Sequence, residues 1–293
     1  MALAFGQAPA QPAALEDYFA RVRAGEQPPQ PSALLQPDRI SVHLQTLAAL
    51  RRDTVPAVRR QAIVLTHQLG LQAKAVRADA IRELLSAVRD PDSGNAGLAL
   101  IYLTTFERRD FTQPHQDSLL ALFQTRRAHA SKLIRLIGYL GDDRARTELS
   151  ALAANPGANR NERWAAWLAL SRMGDAAAIQ EVMTRVKRLP VNDDLVYDIF
   201  PDLIYTRHPA AIQYLREVLT SEEPTCESAD PEQPRPILCG YRVMELLAPV
   251  IENYPLQVSG GGDLATNDYR VALTQVRAWF TAHANFRILN DQY

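Results

Sequence analysis

The fold of this chain is decided by the stretch WAAWLALSRMGDAAAI, residues 164–179. Small and apolar residues fill its first part, and the Gly174-Asp175 pair that follows is typical of a tight turn. Beyond the turn, apolar residues recur at positions i, i+3, i+4, i+7 and i+10: Ile179, Val182, Met183, Val186 and Leu189. This is the spacing of one face of an α-helix. The stretch therefore predicts a helix, a turn and a second helix.

The same pattern recurs at an interval of 33 residues. The turns lie at 140–142 (LGD), 173–175 (MGD) and 206–208 (TRH), so the third departs from the Gly-Asp pattern. A helix pair with one apolar face must bury that face on the next pair. We therefore expect an all-α fold of antiparallel helix pairs. The residues in register that should be buried between pairs are Trp167, Leu170, Leu149, Val182 and Leu215.

Residues 164–179 resemble the short bacterial HEAT repeat, the type also found in phycobilin lyases. That family has an Arg near the start of its first helix, small residues where helices touch, and a Gly-Asp turn. Here Arg163 stands 11 residues before Gly174, and Arg59 stands 11 residues before Gly70. The resemblance implies a right-handed α-solenoid, a HEAT/armadillo-like superhelix of antiparallel helix pairs.

The resemblance is good for residues 130–220 and looser for 38–125, where the turns lengthen. Tetratricopeptide and ankyrin repeats have similar periods, but their Trp-Leu-Gly-Tyr and Thr-Pro-Leu-His patterns are absent. We expect three regions: 1–30, a flexible N-terminus with a short capping helix; 31–220, the HEAT-like repeats; and 221–293, a proline-rich loop with C-terminal capping helices.

Composition fits a folded chain and argues against a nucleic-acid partner. Of 293 residues, 47% are hydrophobic and 22% charged, and the formal net charge is -1. A dedicated nucleic-acid binder would carry a basic excess. No stretch reaches the roughly 20 apolar residues that cross a bilayer, so no transmembrane segment is expected.

Two features bear on the cellular compartment. The Ala/Pro/Gln-rich residues 2–14 read either as the remainder of a signal peptide with a flexible start, or as a short flexible N-terminus of a cytoplasmic protein. Cys226 and Cys239, the two cysteines, flank a proline-rich segment and are either disulfide-bonded or separate thiols. We expect a periplasmic or secreted protein with this disulfide, the alternative being a cytoplasmic one.

No motif commits the chain to a reaction. Phosphate-binding glycine loops, HExxH, nucleophile elbows and paired-cysteine metal motifs are absent, so we expect no catalytic residue, metal or cofactor. Asp142 and Asp175 are expected to cap the second helices of their pairs. Trp164 and Trp167 require separate consideration, because alkylpurine DNA glycosylases built of HEAT-like repeats use aromatic residues and an Asp. Trp167 is in register with apolar residues of the neighbouring pairs, so packing explains it.

The resemblance implies non-catalytic binding of a protein or peptide along the concave face, which second helices line in such solenoids. The residues just before the buried positions of the second helices form two ladders that we expect to bind the partner. These ladders are Thr147/Gln180/Gln213 and Glu148/Glu181/Tyr214, with Thr184 and Glu217 one turn on. Tyr214 is the expected exposed aromatic anchor. The alternatives are a nucleic-acid-modifying enzyme of the glycosylase type, and a lyase or chaperone acting on a cofactor-bearing protein.

Overall fold

The computed structural model describes residues 12–31, 34, 36, 39–125, 128–228, 235–259 and 264–293. It is 67% helical with little strand, so the predicted all-α class is confirmed. The expected flexible start (residues 2–11), the middle of the proline-rich loop (229–234) and the glycine run at 260–262 lie outside the described residues. The chain divides into two compact units, Met1–Leu133 and Ile134–Tyr293.

The helices alternate with short turns. Their bounds are α1 Pro12–Arg23, α2 Ile40–Leu50, α3 Pro56–Gln72, α4 Arg77–Ala87, α5 Ser93–Leu103, α6 Gln113–Thr125, α7 Ala130–Leu140, α8 Arg146–Ala154, α9 Arg160–Arg172, α10 Ala176–Val186, α11 Phe200–Thr206, α12 Pro209–Thr220, α13 Gly240–Leu247 and α14 Tyr269–Ala282. Short 3-10 turns cover Lys74–Val76, Arg108–Asp110 and Asp143–Ala145, and a π-helix covers Leu195–Ile199. The strands β1 (Cys226–Glu227) and β2 (Pro236–Ile237) pair antiparallel.

In the first unit, α3 is the central helix and packs against α1, α2, α4 and α5. The predicted capping helix is present as α1, and its Tyr18 and Phe19 are buried in the core of this unit. Arg59 of α3, the arginine matched to the HEAT pattern, donates from Nε and Nη2 to both carboxylate oxygens of Asp90 at 2.8 and 3.0 Å. This buried ion pair joins α3 to the turn that precedes α5.

In the second unit, α9 packs against α8, α10 and α11, and α10 packs against α12. The register predicted from the 33-residue repeat is largely confirmed, since Leu149, Val182 and Leu215 are fully buried and Leu170 is nearly so. Trp167 is only partly buried. Its indole Nε1 is nevertheless enclosed and has no hydrogen-bond partner among the described residues.

The three turns of the repeat share one backbone conformation. Gly141 and Gly174 have positive φ angles of 68° and 84°, and Arg207, which stands 33 residues after Gly174, has a φ of 51°. The third turn therefore keeps the geometry that its sequence put in doubt, with a non-glycine residue in a conformation that costs roughly 1–3 kcal/mol. Asp175 caps α10 as predicted, accepting from the Ala178 N–H, whereas Asp142 accepts from the Arg144 N–H and caps the 3-10 turn that precedes α8.

Gly138 allows α7 to approach α9 closely. A Cβ at this position would lie 2.5 Å from the Ala169 Cα and 2.6 Å from the Tyr205 Oη. Tyr205 uses that space to donate from its hydroxyl to the main-chain oxygen of Arg135 at 2.5 Å. The first helices of three successive pairs, α7, α9 and α11, therefore meet around Gly138.

The remainder of the second unit packs on the last repeat. Helix α13 contacts both α11 and α12, and α14 packs on α13. Cys226 and Cys239 form a disulfide with Cα atoms 5.1 Å apart, which confirms the predicted pairing. The three predicted regions, 1–30, 31–220 and 221–293, stay a prediction.

Candidate functional site

The predicted ladder residues lie mostly on the exposed faces of the second helices. Thr147, Gln180, Gln213, Thr184 and Glu217 are exposed, and Glu148 and Glu181 are partly buried. Helix α10 packs on α12, so Gln180 and Gln213 lie on neighbouring helices. Helix α8, which carries Thr147, packs mainly on α9. A binding role for these residues stays a prediction.

Tyr214 is the exception, and the expectation that it is an exposed anchor is wrong. It is 8% exposed, because the buried stripe of α12 includes Ala211, Tyr214 and Val218 as well as the column through Leu215. Its ring packs edge-on against Phe200, with centroids 6.0 Å apart, and the Lys187 Nζ lies 5.6 Å from its centroid. In α12, Tyr214, which precedes the buried Leu215, therefore also belongs to the buried face.

Among the described residues, two ladder side chains are hydrogen-bonded to an arginine of their own helix. Arg185 donates from Nε to Glu181 Oε1 at 2.7 Å, and Arg216 donates from Nη1 to Gln213 Oε1 at 3.2 Å. Exposed pairs of this kind contribute about 0–1 kcal/mol each. These groups can consequently exchange their partners for those of a bound molecule at little cost.

A cavity opens at the end of α10, where Arg185, the partner of Glu181, lines it. It has a volume of about 380 Å³, and we name it the Trp164 cavity. Its lining comes from the start of α9, the end of α10 and the π-helix: Arg160, Asn161, Trp164, Arg185, Val186, Leu189 and Ile199. Leu189, which the sequence pattern assigned to the apolar stripe of α10, lies beyond the end of that helix and is 45% exposed.

A second, smaller cavity of about 220 Å³ shares Leu189 and Ile199 with the first and continues past Pro190. The two ends of the joined depression differ in charge. Arg160 and Arg185 line the Trp164 cavity, whereas Asp194 and Asp198 line the second one. The whole is an apolar depression with a basic end and an acidic end.

The π-helix Leu195–Ile199 shapes this depression. Pro201 lies two residues beyond its end and has no N–H to give to the carbonyl four residues earlier, so the regular α-helical pattern is interrupted. The wider π turn leaves Tyr197 56% exposed, with the Arg242 guanidinium 5.4 Å from its ring centroid. A π turn inside a helical segment often marks a functional site.

Trp164 is held by a buried carboxylate. Its Nε1 donates to Asp202 Oδ2 at 2.5 Å, and Arg135 Nη1 donates to the other oxygen of Asp202. Both oxygens of this buried carboxylate therefore accept hydrogen bonds. The Trp and Asp pair fixes one wall of the Trp164 cavity.

A further polar cluster lies in the first unit, around His67. His67 stacks on Tyr102 with ring centroids 3.9 Å apart, and burial lowers the pKa of His67 to about 4. Within the described part of the chain, no group of three or more His, Cys, Asp and Glu side chains could hold a metal ion.

Comparison of this chain with protein-family models, curated proteins and solved structures finds no match. The resemblance to HEAT repeats therefore rests on the sequence pattern alone. None of the helices in the described ranges is both long and apolar enough to cross a membrane.

Sequence reasoning missed the depression beside the ladder. One signal was present, because Leu189-Pro190 ends the apolar pattern of α10 and Pro201 interrupts the next helix. Proline is common shortly after the end of a helix because it cannot continue the helix, so Pro190 indicates that Leu189 lies outside α10.

Proposed function

We propose that this chain is a non-catalytic scaffold, a right-handed HEAT-type solenoid that binds a protein or peptide segment beside its second helices. The observation that carries the proposal is the Trp164 cavity, whose lining residue Arg185 pairs with the ladder residue Glu181 of α10. Export to the periplasm or outside the cell is part of the proposal and is supported by the disulfide between Cys226 and Cys239.

The depression has the composition of an anchoring site for a side chain. Leu189 and Ile199 form an apolar floor, and Trp164 forms a wall whose indole is fixed by Asp202. Binding hot spots are commonly apolar or aromatic anchors that fill such pre-formed pockets. An apolar side chain of the partner would therefore fill the Trp164 cavity.

The charges at the two ends define the flanks of the partner segment. Arg160 has an exposed guanidinium at one end, and Asp194 and Asp198 are exposed at the other. Complementary charge placement sets the orientation of a ligand more than its affinity. The segment that fits has an acidic residue, an apolar residue and a basic residue in that order along the depression.

The experiment is a selection of displayed random peptides on the immobilised full-length protein. We expect enriched peptides that share an apolar residue with an acidic residue on one side and a basic residue on the other. Binding of these peptides should fall when Gln180 and Glu181 are both replaced by Ala, because both belong to the proposed ladder and Glu181 pairs with Arg185, which lines the cavity. Recovery of no common pattern, or peptides that bind this double variant as well as the wild type, would contradict the proposal.

A further inference from the structure

Residues 289–293 lie along the first helices of the second unit, and side chains of those helices and of the third turn bind their main chain. Arg207 Nε donates to the Leu289 oxygen at 3.0 Å, and its Nη2 donates to the Tyr293 oxygen at 2.9 Å. Arg172 Nη2 donates to the oxygens of Asn290 and Gln292, and the Tyr139 hydroxyl donates to the Asp291 oxygen at 2.6 Å. Every main-chain oxygen of this segment is therefore bound.

The residues that bind the segment belong to the 33-residue repeat. Tyr139, Arg172 and Tyr205 occupy the same position near the ends of α7, α9 and α11. The Arg172 guanidinium lies 5.0 Å from the ring centroid of Tyr139 and 5.1 Å from that of Tyr205. We name Tyr139, Arg172, Tyr205 and Arg207 the first-helix groove.

One side chain of the segment enters this groove. The ring of Tyr293 lies 5.5 Å from that of Tyr139 and 5.3 Å from that of Tyr205, measured between centroids. The side chains of Asn290, Asp291 and Gln292 are exposed. Recognition of residues 290–293 thus uses their main chain and one aromatic ring, whereas Arg287 and Leu289 also share main-chain hydrogen bonds with Glu252 and Val250.

Arg207 is a fixed donor of the groove. It is buried with the segment in place, and its described hydrogen bonds are to the main-chain oxygens of Ile204, Leu289 and Tyr293. Burial lowers the pKa of Arg207 to about 10, and its backbone is in the left-handed conformation. Loss of the segment would expose this guanidinium to water, whereas exchange of the segment for another extended chain would keep it paired with main-chain acceptors.

We infer that the first-helix groove is a second binding site, which takes an extended segment of a partner protein bearing a tyrosine or phenylalanine ring in exchange for residues 289–293. All peptides carry main-chain oxygens, so the site would distinguish one peptide from another by the aromatic ring. The groove is separate from the Trp164 cavity and shares no residue with it, so the two proposals stand or fall independently.

The test uses a fluorescent, C-terminally amidated peptide with the sequence of residues 287–293, RILNDQY, and the full-length protein. In the wild type, the covalently attached segment competes with the peptide and weakens its apparent affinity in proportion to the fraction of free groove. The substitution Tyr293→Ser removes the competing ring and leaves the groove unchanged. We expect the peptide to bind this variant at least about tenfold more tightly than the wild type.

Three controls define the site. Gln292→Ser alters an exposed side chain of the same segment and should bind the peptide like the wild type. Adding Tyr139→Phe to the Tyr293→Ser variant removes the hydroxyl that binds the Asp291 oxygen and should weaken the peptide by about three- to tenfold. A peptide ending in serine in place of tyrosine should bind none of these proteins.

A second measurement needs no variant. The side-chain NMR signals of Tyr293 in the wild-type protein should shift when excess peptide displaces the segment. Equal affinity of the peptide for the wild type and Tyr293→Ser, together with unchanged Tyr293 signals, would overturn the proposal. A concentration-dependent dimer that Tyr293→Ser abolishes would also overturn it, because the segment would then exchange between two copies of this chain.

Discussion

The indole Nε1 of Trp164 lies 2.5 Å from Oδ2 of Asp202, and this hydrogen bond connects the start of α9 to α11. The same carboxylate pairs with Arg135 on α7. One buried acidic group thus joins the first helices of three successive pairs and also fixes a wall of the Trp164 cavity. The stability of the repeat and the shape of the proposed site share this contact.

The Trp164→Phe substitution should destabilise the protein by about 1–3 kcal/mol, because it leaves an oxygen of Asp202 without its donor. Trp167→Phe is the matched control: it removes an indole N–H that has no described partner. We expect the control to retain more stability than Trp164→Phe. Urea unfolding of both variants makes the comparison, and equal losses would show that the hydrogen bond to Asp202 contributes nothing.

The Leu149→Ala substitution should cost about 2–5 kcal/mol, since it leaves a cavity at a fully buried position between helices. The neighbouring exposed residue provides the control, and Thr147→Ala should change the free energy of unfolding by less than about 0.5 kcal/mol. Both values come from urea unfolding monitored by circular dichroism. Wild-type stability of Leu149→Ala would be incompatible with the register of the repeat.

His67 should make the stability of the protein fall as the pH decreases from 6.5 to 4. Its pKa is lowered by burial from 6.5 to about 4, so in this window the unfolded state binds a proton that the folded state does not. The stabilisation is therefore fully present above pH 6.5 and is lost as the pH falls towards 4. Replacing His67 by Phe should make the pH dependence less steep.

The measurement compares urea unfolding of wild type and His67→Phe at pH 7.5 and pH 4.5. The difference at pH 7.5 reports the packing change alone, and the additional difference at pH 4.5 reports the titration of His67. An identical pH dependence of the two proteins would show that His67 does not titrate between the folded and unfolded states as stated.

The disulfide should be present in protein isolated from its own compartment. It closes a loop of about 14 residues, and reduction should lower the free energy of unfolding by up to about 3 kcal/mol in the chain-entropy model. Thiol titration under denaturing conditions, before and after reduction, measures the pairing. Two free thiols before reduction would argue against export.

Much of the fold could be predicted because the repeat has a period that the sequence shows directly. The apolar residues at 149, 182 and 215 are 33 apart, and their burial follows from the need of each helix pair to cover one face. The pairing of Cys226 with Cys239 followed from their positions on either side of one loop. These features depend on residues close in sequence or on a regular interval.

The candidate sites were harder to predict because they depend on departures from that regularity. Tyr214 is buried because the apolar stripe of α12 is wider than one column of residues. The Trp164 cavity exists because α10 ends before Leu189 and a π turn precedes Pro201. The first-helix groove binds residues 289–293, which are about 80 to 150 positions away along the chain. The sequence does show that three residues of the groove, Tyr139, Arg172 and Tyr205, are 33 positions apart.

The central claim is that the Trp164 cavity anchors a peptide segment, and Leu189 tests it most directly. The measurement is calorimetric titration of one selected peptide into the wild type, Leu189→Glu and Ile101→Glu. Ile101 is the matched control, because it is an exposed apolar residue of similar exposure, 47% against 45%, outside the second unit. We predict that Leu189→Glu weakens binding at least about tenfold while Ile101→Glu stays within about twofold of the wild type. Equal affinity of all three proteins for the peptide would contradict the claim.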